Sequence, residues 1–155
     1  MRLNQIFKRE YINADLSAQG KDEALAELVN VVMDGGLQLN TSAIIDILKQ
    51  RESLGSTGIG EGVAIPHGKI SALNEIIVAF GRSRNGIAYH SLDGKPVHLF
   101  FLLLAPENSA GQHLKILAKI SKMLKDVNFR NKLLEAKSRD ELYKIIIEQE
   151  SACIV

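Results

Sequence analysis

The side chains with chemical reach gather in one stretch, "RESLGSTGIGEGVAIPHGK", Arg51 to Lys69. It opens on an arginine, carries two adjacent hydroxyls at Ser56 and Thr57, and ends near a histidine, His67, set between a proline and a glycine. Glycines at 55, 58, 60 and 62 come before His67, and Gly68 follows it. Bare backbone exposes N–H groups, and clustered N–H groups hold anions. The chemistry on offer is a negatively charged group held beside an imidazole, which can itself form a covalent bond to the group it receives. Pro66 fixes its own φ and removes one donor, which stiffens the approach to His67, while Gly68 leaves room for another backbone or a second protein.

The common nucleotide loops fail on spacing. A P-loop needs four residues between its glycines and then Gly-Lys-Ser/Thr. Here Gly62 and Gly68 are separated by residues 63–67, and Ile70 stands where the Mg²⁺-binding hydroxyl would be. The dinucleotide fingerprint Gly-x-Gly-x-x-Gly breaks at Val63, and the stretch follows a helical pattern rather than a strand. A plain tortuous connection with no ligand stays open on the glycines alone.

The surrounding residues sharpen the choice. On the helical pattern "AIIDILKQRESL", Arg51 continues the stripe of Ile44, Ile47 and Leu48, where an apolar residue is expected. It either snorkels to solvent or offers a planar fork to a phosphate. His113 falls in the first turn of a helix expected from about Ser109, on one face with Ile116, Leu117 and Ile120. A helix start attracts anions and disfavours an imidazolium, and a satisfied structural histidine is equally open. Ser56 and Thr57 can donate to an anion or merely shape a turn. His98 sits in an apolar run as a candidate hydrogen-bonded core residue, and His90 carries no signal. No histidine pair has the helical spacing of metal ligands, so no metal is expected. No Ser or Cys nucleophile lies beside a base, and no acidic pair points to hydrolysis. Together the set suits a phosphohistidine.

The elements that must position these groups follow from periodicity. Helices are predicted over Lys21–Met33, Ala43–Leu54 with Thr41 or Ser42 as cap, Ser109–Lys125, Asn128–Ala136, and Arg139–Glu148 with Ser138 as cap. Strands are predicted at Glu75–Ser83 and at "VHLFFLLL", Val97–Leu104, whose continuous apolarity marks a strand covered on both faces. Asp93-Gly94 marks a turn. Strands among helices without repeats indicate a layered α/β domain with a mixed sheet.

Composition excludes other classes. The chain has 155 residues, one ordinary domain. Lys and Arg number 19 against 18 Asp and Glu, and Trp is absent, so neither a basic stripe nor stacking residues for nucleic acid are present. One cysteine, Cys153, is compatible with a reducing cytoplasm. The longest apolar run, Val97–Ala105, is too short to span a bilayer, and the amino-terminal residues do not form a signal peptide.

The segment Arg51–Lys69, together with "DGKPVHLFFLLLAPENSAGQHLKILAKIS" (Asp93–Ser121), resembles the enzyme IIA proteins of the bacterial phosphoenolpyruvate-dependent phosphotransferase system, of the mannitol/fructose/nitrogen-regulatory class. The resemblance covers the length of one such domain. It implies a single layered α/β domain over residues 1–150, with a mixed five-stranded sheet flanked by helices and a tail at 151–155. It implies phosphorylation of His67 on Nε2, with Arg51 and His113 beside it and phosphate contacts from Ser56, Thr57, Gly58 and Gly68. No cofactor is implied. The donor would be the phosphohistidine of HPr or its nitrogen-branch counterpart. The acceptor would be a IIB domain in sugar uptake, or the two forms would signal to transporters and kinases. A chain without IIB, IIC or HPr segments leans to the nitrogen-regulatory role. Val63, Ala64 and Ile65 are expected either as an apolar docking rim or as strand.

Overall fold

The computed structural model describes residues 1–153. Its frame is one mixed sheet, centred on the most apolar segment of the chain. This is β6 (Val97–Ala105), buried at every position except the half-buried His98. A strand covered on both faces needs apolar side chains at odd and even positions alike, which accounts for the unbroken run. β5 (Ile77–Ile87) lies antiparallel beside it, with Phe80 opposite Phe101. β1 (Ile12–Asn13) adds in parallel to the outer side of β5.

On the other side of β6, the glycine stretch is strand rather than loop. It forms β2 (Gly58–Gly60), β3 (Val63–Ala64) and β4 (His67–Lys69). β3 and β4 both run parallel to β6, with Ala64 opposite Phe100 and His67 opposite Leu103. The offset between the chains is the same in both, so β3 and β4 are one line broken at Ile65–Pro66, where proline lacks a ladder N–H. The Pro66 carbonyl still accepts from the Leu103 N–H at 3.0 Å. The sheet therefore counts six strands in five positions across, which is how it meets the expected five. β2 folds back on β3 through Glu61 and Gly62, both with left-handed φ, at 58° and 77°. The Asp93 carboxylate holds that bend, accepting from the Glu61 N–H at 3.1 Å while it closes its own turn on the Lys95 N–H at 3.0 Å.

α1 (Lys21–Asp34) and α2 (Thr41–Ser53) cover one face. α3 (Ala110–Leu124), α4 (Val127–Glu135) and α5 (Arg139–Cys153) cover the other. Strand alternation shows the two sides. A Cβ at Gly81 would strike Leu28 of α1 at 2.8 Å, whereas the next residue, Arg82, points the other way and donates to the Leu133 carbonyl of α4 at 2.9 Å. The cap of α2 is Asn40, not Thr41 or Ser42; its side chain accepts from the Ala43 N–H at 3.0 Å. Ser138 caps α5 as expected, accepting from the Glu141 N–H at 3.1 Å. α5 continues past Glu148 to Cys153, so 151–153 are helical rather than tail, and residues 154–155 lie outside the described residues. The extension is held by Glu150, buried and accepting from the Leu3 N–H at 2.7 Å. Among the described residues no helix is long and apolar enough to cross a membrane.

Candidate functional site

The site sits at the free edge of β4, where α2 and α3 reach the sheet from opposite faces. His67 takes its backbone position from the ladder to β6. Its ring is fixed by a second contact, Nδ1 to the carbonyl of Ile65 at 2.9 Å. A carbonyl can only accept, so Nδ1 carries the proton and Nε2 keeps its lone pair. That lone pair faces the Nε–H of Arg51 at 3.4 Å. Arg51 lies in the last turn of α2, and its Nη1 also donates to the Gly55 carbonyl at 2.9 Å, which anchors the guanidinium beside the ring. The stripe of Ile44, Ile47 and Leu48 thus carries Arg51 to the ring rather than to solvent.

His113 meets His67 edge-on, with ring centroids 5.4 Å apart and planes at 87°. It is buried in the first turns of α3, and its Nδ1 has no hydrogen-bond partner among the described residues. Burial holds the His67 imidazole below the usual histidine value, the Arg51 charge adds to this, and the Ile65 carbonyl and Glu52 oppose it. Burial also lowers His113, helped by His67 and Lys69. Both rings are therefore neutral at pH 7, and a neutral His67 is a nucleophile at Nε2.

Two hollows open on the ring. One, about 460 Å³, is lined by Ile47, Arg51, Gly68, Lys69, His113 and Leu114. The other, about 320 Å³, is lined by Arg51, Ser56, Thr57, Ile59 and Ile65. Gly68 has a packing reason for its lack of side chain, since a Cβ there would meet Ile47 at 3.0 Å. Of the residues expected to bind phosphate, Ser56, Thr57 and Gly68 line these hollows and Gly58 lines neither, and the donors are less free than expected. The Gly58 N–H is taken by the Ser56 hydroxyl at 3.0 Å, and the Thr57 N–H by Glu52 at 3.1 Å. The Thr57 hydroxyl also donates to Glu52. Arg51 is the cation nearest the ring, and Lys69 lines the same hollow.

Val63 and Ala64 are buried strand, and Ile65, buried in the break between β3 and β4, forms no rim either. Large apolar side chains are instead exposed at Leu114 (66%), which lines the first hollow, and at Ile59 (45%), which lines the second. His98 bonds the Ser83 carbonyl at 2.9 Å through Nδ1, as a core histidine would. Among the described residues no three His, Cys, Asp or Glu side chains are grouped to hold a metal ion.

Sequence reasoning missed Glu52, Lys21 and Tyr89. Glu52 is buried and pairs with Lys21 at 2.9 Å. Tyr89, raised by burial and by Glu52, shares the Thr57 hydroxyl at 3.1 Å. One signal was available: Ile44, Leu48 and Glu52 recur every four residues, and they are the buried residues of α2.

A neutral imidazole with one ring nitrogen anchored and the other open beside a guanidinium is an arrangement that can take an anionic group on the open nitrogen. The comparisons with known proteins give the chain its class. The family model for the phosphoenolpyruvate-dependent sugar phosphotransferase system, EIIA 2, matches residues 5–149, and the chain belongs to this family. It is 39% identical over 146 residues to the nitrogen regulatory protein of Bradyrhizobium diazoefficiens, covering 94% of this chain and 95% of that protein. It is 36% identical over 150 residues to the fructose-specific EIIABC component of Bacillus subtilis, covering 97% of this chain but 24% of that longer protein. The crystal structure of nitrogen regulatory protein IIA-Ntr from Neisseria meningitidis superposes with a TM-score of 0.86 at 33% identity, covering 93% of this chain and 98% of that one.

Proposed function

We propose that this chain is a phosphocarrier that accepts a phosphoryl group on Nε2 of His67 from a histidine-phosphorylated carrier protein of the HPr kind and passes it on or signals with it. The observation that carries this reading is the fixed tautomer: Nδ1 is spent on the Ile65 carbonyl, and Nε2 faces Arg51 across an open hollow. In the transfer the bond from phosphorus to the donor's ring nitrogen breaks as the bond to Nε2 forms. The proton on Nδ1 stays, and its bond to the Ile65 carbonyl stabilises the positive charge the ring gains. The donor ring leaves neutral, so no external proton or metal is required. Arg51 then turns from the lone pair to the phosphoryl oxygens, where charge is concentrated in a loose transition state. His113, buried and short of one partner, supports the oxygens or the ring. The Ser56 hydroxyl, which donates to the Tyr89 carbonyl at 3.4 Å, lines the second hollow and supplies a further donor by turning from that carbonyl. The exposed apolar side chains of Ile59 and Leu114 receive the partner protein.

The role is nitrogen-regulatory, in the cytoplasm, with transporters or kinases as targets. The fructose-specific relative at 36% identity favours one second reading, a sugar IIA component that donates to a IIB domain. The test is a relay reconstitution with phosphoenolpyruvate, enzyme I and an HPr-like carrier. One acid-labile phosphoryl group per chain is expected on the wild type and none on His67→Ala. Equal labelling of the variant would show that another residue carries the group. A IIB domain that drains the label restores the sugar reading.

A further inference from the structure

Behind the glycine strand lies an ion pair that the transfer chemistry does not touch. Glu52 follows Arg51 on α2 but points inward, and its carboxylate is 8% exposed as a residue. It accepts from the backbone N–H of Thr57 at 3.1 Å and from the Thr57 hydroxyl, and it pairs with Lys21 at 2.9 Å. Lys21 comes from the first turn of α1 and also lies over the Tyr89 ring, 4.7 Å from its centroid. Two other parts of the chain, the first turn of α1 and Thr57, therefore converge on one carboxylate of α2. Thr57, which it holds, lines the same hollow as His67 and Arg51.

Glutamine could keep the bond from the Thr57 N–H on its one amide oxygen, with its NH2 donating to the Thr57 hydroxyl in place of the second acceptor oxygen, so bridging the 53–57 turn does not by itself call for a charge. The charge therefore asks for its own explanation. A buried carboxylate near a position that gains a doubly charged phosphoryl group raises the free energy of the phosphorylated form, and a buried ammonium lowers it. The two lie on one line of contacts, Lys21 to Glu52 to Thr57, with the carboxylate nearer the site. Resting on the phosphocarrier reading, we propose that Glu52 and Lys21 are positioning residues that set the phosphoryl-transfer potential of His67. Glu52 works against the group Arg51 holds, so that the phosphoryl group can be handed on, and Lys21 limits that repulsion.

The charges that face His67 are Arg51 and Glu52 on α2 and Lys69 on β4, with the His113 ring from α3 and Lys21 behind Glu52 from α1. Removing one member of the pair uncovers the other. Glu52→Gln leaves Lys21 unopposed, and Lys21→Met leaves Glu52 unopposed. A purely structural role predicts loss of the same sign from both variants; the charge role predicts opposite signs.

The experiment equilibrates each full chain with an HPr-like carrier phosphorylated from phosphoenolpyruvate and measures the partition of the phosphoryl group by ³¹P NMR. Glu52→Gln is expected to shift the equilibrium roughly three- to tenfold towards the phosphorylated chain, and Lys21→Met to shift it as far towards the donor. The double variant is expected within about twofold of wild type. Shifts of the same sign, or no shift in either single variant, overturn the proposal. If the wild type takes no phosphoryl group on His67, the phosphocarrier reading fails instead. The ion pair is then judged by the His67 titration in ¹H–¹³C NMR without any donor. Glu52→Gln should lower its midpoint and Lys21→Met raise it, and movement of the same sign or none would overturn the pair's electrostatic role.

Discussion

At His67 the two ring nitrogens are separated by what each faces, a carbonyl on Nδ1 and a guanidinium on Nε2. The Ile65 main chain faces the edge away from β6, where its N–H donates to the Thr57 carbonyl at 3.0 Å and its carbonyl is available to the ring. A pH dependence follows. Burial lowers the folded His67 and His113 below the ordinary value of 6.5. The unfolded chain therefore binds more protons in the window between the lowered values and pH 6.5, and stability rises with pH through that window. The contribution of burying neutral rings is complete above pH 6.5 and shrinks as pH falls below it. Phosphoryl acceptance, which needs the Nε2 lone pair, should stay flat from pH 8 down through 6.5 and fall only below. A profile of initial transfer rate against pH checks this. An acid limb centred above 6.5 would contradict the neutral, desolvated ring.

Among the elements, α4 has an unusual anchor. Arg82 lies on the central part of β5 and is 1% exposed, yet among the described residues no carboxylate forms an ion pair with it. Its guanidinium instead donates to the carbonyls of Ala14, Leu133 and Ala136, which ties the carboxyl end of α4 to the sheet and to the segment after β1. Helix carboxyl ends carry unpaired carbonyls and partial negative charge, so they accept a cation without a counter-ion. Arg82→Met fills similar space but strands those carbonyls in the core. It is expected to lower unfolding stability by roughly 2–4 kcal/mol, read from urea denaturation. A loss within about 0.5 kcal/mol would place it among neutral surface changes and refute the anchoring role. The glycines of β2 show the same dependence on neighbours: a Cβ at Gly58 would meet the Ser91 Oγ at 2.8 Å, so the pattern read as loop is a strand pressed against a turn.

Across the whole molecule, the two ends of the chain close on each other through one carboxylate. Glu150 on α5 accepts from the Leu3 N–H and from Lys119 of α3 at 2.8 Å, and Lys119 also donates to the Met1 carbonyl at 2.7 Å. α3 thus carries His113 near one end and the junction of the termini near the other. Glu150→Ala leaves a buried N–H and an ammonium without their acceptor and is expected to cost roughly 2 kcal/mol. Hydrogen exchange at the Leu3 amide should accelerate by a similar free energy. Protection unchanged from wild type would show that the amino-terminal turn is held by its apolar contacts alone. The mixed sheet, the helices on both faces and the central apolar strand were all legible beforehand, because 3.6- and 2-residue periodicity and a continuous apolar run report burial directly. The extension of α5 was not, because its polar end is buried by a partner far away in sequence.

The sequence by itself determined which residues could form the site. Arg51 and His113 occupy apolar positions on their helical stripes, and His67 stands between proline and glycine, and each of those anomalies is local. Only the tertiary structure decided how they are used. Ile65 selects the tautomer, Arg51 faces Nε2, and Glu52, itself paired with Lys21, occupies the donors of Thr57. The reason is physical: burial and hydrogen-bond partners arise where α1, α2, α3 and the sheet converge, and no spacing along one chain encodes which of several polar groups another element will meet.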